Sequence, residues 1–359
     1  MKKVKLGEIC EKASSNIAQK DLEKSNGRYP IYGASGFIKN VDFYKQDKEY
    51  IAIVKDGAGV GRTMLFPAYS SIIGTMQYIL PNPTIDIKYL YYVLTWMNLA
   101  KYCTGATIPH IYFKDYKDEE FLLPSLEEQK AIAERLDKVS ELIEKRKAQL
   151  EKFDLLIKSR FIEIMESAEL SDELTVEQIT ERVKVGFVGT CEKYYTDETG
   201  IPMLRTGNIT DCGIDMRDLK YVTADFHKKN KKSQICKGDL LIARHGSNGQ
   251  ANVYDGPEAQ CLNAVVVVPN QSVARSMFLA GLINSSAVKR QIDKTLVGST
   301  QHVVNTKSIA NLIVRIPNLE VQKQYENFVE QVDKSKFEIQ KSLEKLEILK
   351  KSLMQKYFG

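Results

Sequence analysis

Two stretches of this chain carry residue types suited to phosphate or a base edge, and each occurs twice. Lys55-Asp56-Gly57-Ala58-Gly59-Val60-Gly61-Arg62 sets two cations around three alternating glycines. In the second half, Arg244-His245-Gly246-Ser247-Asn248-Gly249-Gln250 again puts a basic residue ahead of two glycines. Neither ends in the Gly-Lys-Ser/Thr of a nucleotide-binding loop, and no helical pattern follows the first. A plain β-hairpin turn fits both. So does a loop carrying Lys55 and Arg62, or Arg244, His245, Asn248 and Gln250, to nucleic acid, where Arg suits guanine and Asn or Gln suits adenine. The second stretch is residues 104–114, repeated at 297–307. Gly105, Thr107 and Lys114 recur as Gly298, Thr300 and Lys307. With His110 and Tyr112 in one copy, and Gln301, His302 and Asn305 in the other, these groups suit phosphate oxygens. A loop packed at a domain–helix junction fits equally well. Arg205 is a further candidate for a DNA contact.

Composition narrows the chemistry. The chain has 359 residues, 43% hydrophobic and 27% charged, with a formal charge of +5. That is an ordinary globular composition, and its mild basic excess permits a nucleic-acid partner without requiring one. Six scattered cysteines without CxxC, and only four histidines, argue against structural zinc and for reduced thiols. There is no signal-peptide core and no run of about 18 apolar residues, so a cytoplasmic protein without membrane contact is expected. Motifs for amino-methyl transfer (Asn/Asp-Pro-Pro-Tyr/Phe), for PD…(D/E)xK nucleases, and HExxH and GxSxG are all missing. The chain reads as a binding and scaffolding protein.

The elements that position these loops also repeat. Residues 50–55 and 72–80 read as buried strands, residues 62–67 as a further strand, and residues 87–100 as a helix. Residues 239–244, 264–269 and 276–285 repeat the strand, strand, helix order. Each globular region is followed by a long helix. Pro124 recurs as Pro317, Gln129 as Gln322 and Lys158 as Lys351, 193 positions on in each case. A constant offset of this length marks an internal duplication. Ser125 and Glu128 fit a capping box. The first helix has a heptad seam through Leu136, Val139, Ile143, Leu150, Phe153 and Ile157. The second has Val329, Val332, Ile339, Leu343, Leu346 and Leu353. Such a seam predicts a coiled coil, about 60 Å long at ~1.5 Å per residue. Arg146 and Arg160 interrupt one seam, Lys336 and Lys350 the other. They either select one register or snorkel from its edge.

The strand-to-loop run LLIARHGSNGQ, the segment TGATIPHIYFKD and the proline-led LLPSLEEQKAI together resemble the DNA specificity subunit of type I restriction-modification systems, over essentially the whole chain. The second proline-led copy departs from the pattern at Val321 and Tyr325. The resemblance implies an α+β fold. Two mixed α/β target recognition domains (residues 1–123 and 174–316) are separated by two long helices (124–166 and 317–358). The helices pack as an antiparallel coiled coil in an internal pseudo-two-fold repeat. It further implies that each domain reads one half of a bipartite double-stranded DNA target. The helices set the spacer and dock two modification subunits, which hold S-adenosylmethionine. Separate restriction/translocase subunits use ATP. No cofactor and no catalytic residue is expected in this chain. Two other readings stand beside this one: a coiled-coil scaffold without a DNA role, and a methyltransferase or nuclease with unrecognised motifs.

Overall fold

The computed structural model describes residues 2–23, 25–105, 109–210, 213–244, 249–296 and 303–359. These form two compact units, Met1–Ala148 with Gln340–Gly359 and Gln149–Ile339, so the division falls inside both long helices.

In the first unit an antiparallel sheet has the order Cys10–Ser14, Met76–Pro81, Tyr50–Val54, Thr63–Phe66. Strand side chains alternate between faces, and here both faces are covered. Ile51 and Ile53 point to a core shared with Tyr89, Leu90 and Leu94 of the helix Ile87–Met97. Tyr50, Ala52 and Val54 point to a second core with Phe66, Met76 and Tyr78. That explains an unbroken apolar strand where alternation would otherwise be expected. The unit is closed by pairing of Lys2–Lys5 with Glu120–Leu123.

The second unit repeats the plan. Its sheet runs Thr180–Val185, Ala264–Pro269, Leu240–Ala243, Ala251–Val253. Leu240 and Ile242 face a core with Phe278 and Leu279 of the helix Ser276–Ile283, while Leu241 and Ala243 face another with Tyr254 and Val266. Leu174–Thr175 pairs with Ile313–Val314 where the chain enters and leaves.

Two expected elements are corrected. The apolar run 72–80 is not one strand. Ser71–Ile72 pairs in parallel with Tyr29–Gly33, and Met76–Pro81 joins the main sheet. The chain changes sheets at Gly74, whose N–H donates to Ile17 O at 2.8 Å. The helix expected to reach residue 100 ends at Met97, because Asn98 takes a left-handed φ of 47° and a 3₁₀ turn, Leu99–Tyr102, follows.

The long helices span Leu126–Ser167 and Leu319–Phe358. The first starts on the expected capping box: Glu128 accepts from Ser125 N at 3.0 Å, and Ser125 Oγ accepts from Glu128 N at 3.3 Å. With Val321 in place of the glutamate, the second is capped by Asn318, which accepts from Val321 N at 3.1 Å. The seam positions are covered within the chain. Leu136, Val139, Ile143, Val329, Val332 and Leu343 are buried, and Leu150, Phe153, Ile157, Ile339, Leu346 and Leu353 half-buried. In the second unit Asp154 meets Lys336 at 2.7 Å, Arg160 meets the Phe328 ring and Phe161 the Tyr325 ring. Partner numbers fall as helix numbers rise, so the pairing is antiparallel. In the first unit Leu136 packs with Met354, and Arg135 donates to Tyr357 Oη at 3.1 Å. The interrupting cations therefore divide in role. Lys336 bridges the two helices, a register contact worth under about 1 kcal/mol at this exposure. Lys350 lies 5.9 Å from the Tyr92 ring, and burial lowers its pKa.

Besides apolar packing of each long helix on its globular part, one buried glutamine is bonded across each junction. Gln129, 1% exposed, accepts from Asp86 N at 2.8 Å and donates to Pro124 O and Thr84 O at 3.0 and 3.3 Å. Gln322, fully buried, accepts from Arg275 N at 2.9 Å and donates to Pro317 O and Val273 O at 2.9 and 3.0 Å. Asp86 and Arg275 are the residues that begin the domain helices. Gln129→Ala leaves one N–H and two carbonyls without partners. It should lower the stability of the first unit by about 2–4 kcal/mol. Native-state hydrogen exchange should then quicken at the amides of Tyr50–Val54 and stay unchanged at Leu240–Ala243.

Candidate nucleic-acid interface

Residues 55–62 form the connection of an antiparallel hairpin, since Tyr50–Val54 pairs with Thr63–Phe66. The three glycines serve its backbone, with φ of 87°, 88° and 85° at Gly57, Gly59 and Gly61. At Gly61 a Cβ would also lie 2.4 Å from Ala100 N, so no side chain fits. The turn supports two cations. Lys55 is ion-paired with Asp56. Arg62 is exposed, and its Nη1 donates to Ala34 O at 3.0 Å. That bond fastens the tip of a second hairpin, Tyr29–Gly33 with Gly36–Val41, which carries Phe37 at 60% exposure.

The second constellation folds onto the same turn. His110 and Thr104 exchange two backbone bonds of 2.9 Å. Gly57 N donates to Pro109 O at 2.9 Å, and Ile111 N to Lys55 O at 3.0 Å. The Tyr112 side chain, 52% exposed, stands 5.0 Å from the His110 ring, and the Lys114 ammonium lies 5.3 Å from the Tyr112 ring. One edge therefore presents Arg62, His110, Tyr112 and Lys114.

The second unit builds the same junction. Val304 N donates to Arg244 O at 3.1 Å, and Val304 stands 193 positions after Ile111. Arg244 is half-buried and partly committed, with Nη1 on Asn263 Oδ1 at 2.8 Å and Nε on Val304 O at 3.3 Å. Thr206 Oγ1 donates to Asn263 O at 3.1 Å, which brings the turn holding Arg205 to the same place. Arg205 itself grips Asp218 through Nη2, at 3.1 Å to the carbonyl and 3.2 Å to the carboxylate, and its Nε is buried without a partner. Asn305 caps the short helix Thr306–Ala310 by accepting from Ser308 N at 2.8 Å, and Lys307 on that helix is exposed. Gln250 is half-buried. Thr107, His245, Asn248, Thr300, Gln301 and His302 lie outside the described residues.

The residue list from sequence missed three features. One is the hairpin tip with Phe37, which Gly33-Ala34-Ser35-Gly36 between two alternating runs could have signalled. Another is Asn263, whose φ of 52° gives no local sequence signal. The last is a set of exposed apolar residues on the long helices, outside the heptad seam. Leu155 and Leu156 are 61% and 46% exposed, and Ile348 and Leu349, at the equivalent repeat positions, 69% and 45%. Among the described residues no group of three or more His, Cys, Asp or Glu is placed to hold a metal, and no helix is long and apolar enough to cross a membrane.

The chain as a whole is similar to known proteins. The family model for the type I restriction modification DNA specificity domain matches residues 1–152 and again 176–350. The EcoBI specificity subunit of Escherichia coli is 23% identical over 289 residues, 71% of this chain and 61% of that protein. The MjaVIII specificity subunit of Methanocaldococcus jannaschii is 24% identical over 367 residues, 92% of this chain and 85% of that one. A crystal structure of a type I restriction-modification S subunit from M. genitalium has the same fold. Its TM-score is 0.66 at 17% identity, over 100% of this chain and 96% of that one.

Proposed function

The chain belongs to the type I restriction modification DNA specificity family, and from that premise we propose that it is the non-catalytic specificity subunit of a multisubunit DNA methyltransferase and endonuclease. Each unit reads one half of a bipartite duplex target, and the paired helices fix the spacer. One observation carries this reading. Two loops far apart in sequence meet through the same backbone bond in both units, Ile111 N to Lys55 O and Val304 N to Arg244 O. One chain thereby carries two equivalent edges whose loops differ in residues, as an asymmetric target requires. In the first unit Lys55, Arg62, His110, Tyr112 and Lys114 are assigned to the DNA. In the second, the assignment covers Arg205, Arg244, Gln250 and Lys307, together with Asn248 and His302. Phosphate contacts give affinity, and a few base-edge contacts give choice.

Partners follow from the helices. Large apolar side chains left in water mark interaction sites when they cluster. The pairs Leu155/Leu156 and Ile348/Leu349 are equivalent under the repeat. Two equivalent patches suit two copies of one modification subunit, which would bring S-adenosylmethionine. ATP would belong to the restriction subunits, and the assembly would work in the cytoplasm beside the DNA.

The reconstituted complex with modification subunits should shift a duplex carrying its target and not a scrambled duplex of equal length. A complex that shifts neither would leave the scaffold reading in place. Leu155→Glu with Leu156→Glu should remove one modification subunit, read as a drop from two to one by light scattering. Adding Ile348→Glu and Leu349→Glu should remove both.

A further inference from the structure

Residues 228–232 of the second unit read Lys-Lys-Asn-Lys-Lys, and no other stretch of the chain sets four lysines within five residues. Lys228, Lys229, Lys231 and Lys232 are all exposed. Among the described residues none has an acidic group within ion-pair distance. Glu258 is held by His227 at 3.1 Å, and Lys237 takes Asp255. Asp225 lies at the start of the same short helix. Four close ammonium groups repel one another, so an unfastened segment would spread them.

This segment is fastened. Thr223 Oγ1 caps the helix Ala224–Lys229 by accepting from Phe226 N at 3.3 Å. Phe226 is buried, with the Phe187 and Tyr194 rings 5.0 and 4.9 Å away. Asn230 Nδ2 donates to Phe226 O at 2.8 Å, and Ser233 Oγ donates to Asn230 O at 3.0 Å and also contacts the buried Gln260. The backbone is therefore rigid where the side chains carry unbalanced charge, which suits a polyanion of fixed spacing.

We propose that Lys228, Lys229, Lys231 and Lys232 form a phosphate-contact surface for duplex DNA, flanking the half-site read by the second unit. The inference rests on the specificity reading above. The strand Ala259–Cys261 connects the two places: Gln260 at its centre contacts His227, and Asn263, two residues past its end, holds Arg244. Three residues of chain separate Gln260 from Asn263, at most about 11 Å. A duplex bearing one charge per ~1.7 Å of axis reaches both.

The test uses the complex with modification subunits, a duplex carrying the methylation-mapped target, a scrambled duplex, and a salt series followed by fluorescence anisotropy. Replacing all four lysines by alanine should flatten the slope of log affinity against log salt by about 3–4. Target and scrambled duplexes should weaken equally, and the methylated sequence should not change. Replacing all four by arginine should retain the slope. A slope unchanged in the alanine variant, with a wild-type complex that still selects its target, assigns the lysines elsewhere and overturns the proposal. A wild-type complex without sequence preference sinks the specificity reading itself, and the patch with it.

Discussion

The structure depends on one buried amide, used twice. Gln129 and Gln322 each accept a backbone N–H at the start of a domain helix, and each donates to a carbonyl at the start of a long helix. The position needs a neutral group that both accepts and donates at one end of a side chain of this length. A carboxylate would accept but not donate, and would be buried as a charge. Asparagine is one methylene short. The clamp adds directional bonds to the apolar packing of long helix on domain helix, so the two are held in one fixed arrangement within each unit. A loop that reads DNA gains specificity from such fixed placement.

Beside each clamp, charged contacts add direction more than stability. Lys88 and Tyr92 both reach Asp137, each at 2.7 Å, in the first unit, and Arg275 reaches Glu326 in the second. The partners differ although the clamp is the same. The duplicated chain has kept the geometry of the junction while replacing the groups around it. The two loop edges show the same division: the Ile111–Lys55 and Val304–Arg244 bonds are common, while the side chains they carry are not.

Much of this was legible in the sequence because it is local or periodic. The heptad, the 193-residue offset, the capping box at Ser125 and the apolar strands near 50–55, 239–244 and 264–269 all follow from spacing alone, and the structure has them. What was not legible depends on long-range register. Nothing near Lys55 says that Ile111 will pair with it, so the two loops read as separate candidates. The run 72–80 is apolar throughout, and only the meeting of two sheets decides that it breaks at Gly74. Asn305 has a residue type suited to a base edge, yet its carbonyl oxygen is occupied as a helix cap. Leu155 and Ile348 are apolar and helical, which composition cannot distinguish from core.

The most direct test of two independent reading units is a domain exchange. Residues 174–316 are replaced by the corresponding region of another specificity subunit, and methylated adenines are mapped across the DNA of cells carrying the system. The account predicts that one half of the bipartite sequence changes while the other half and the spacer length stay as they were. A change in both halves, or in neither, would contradict it.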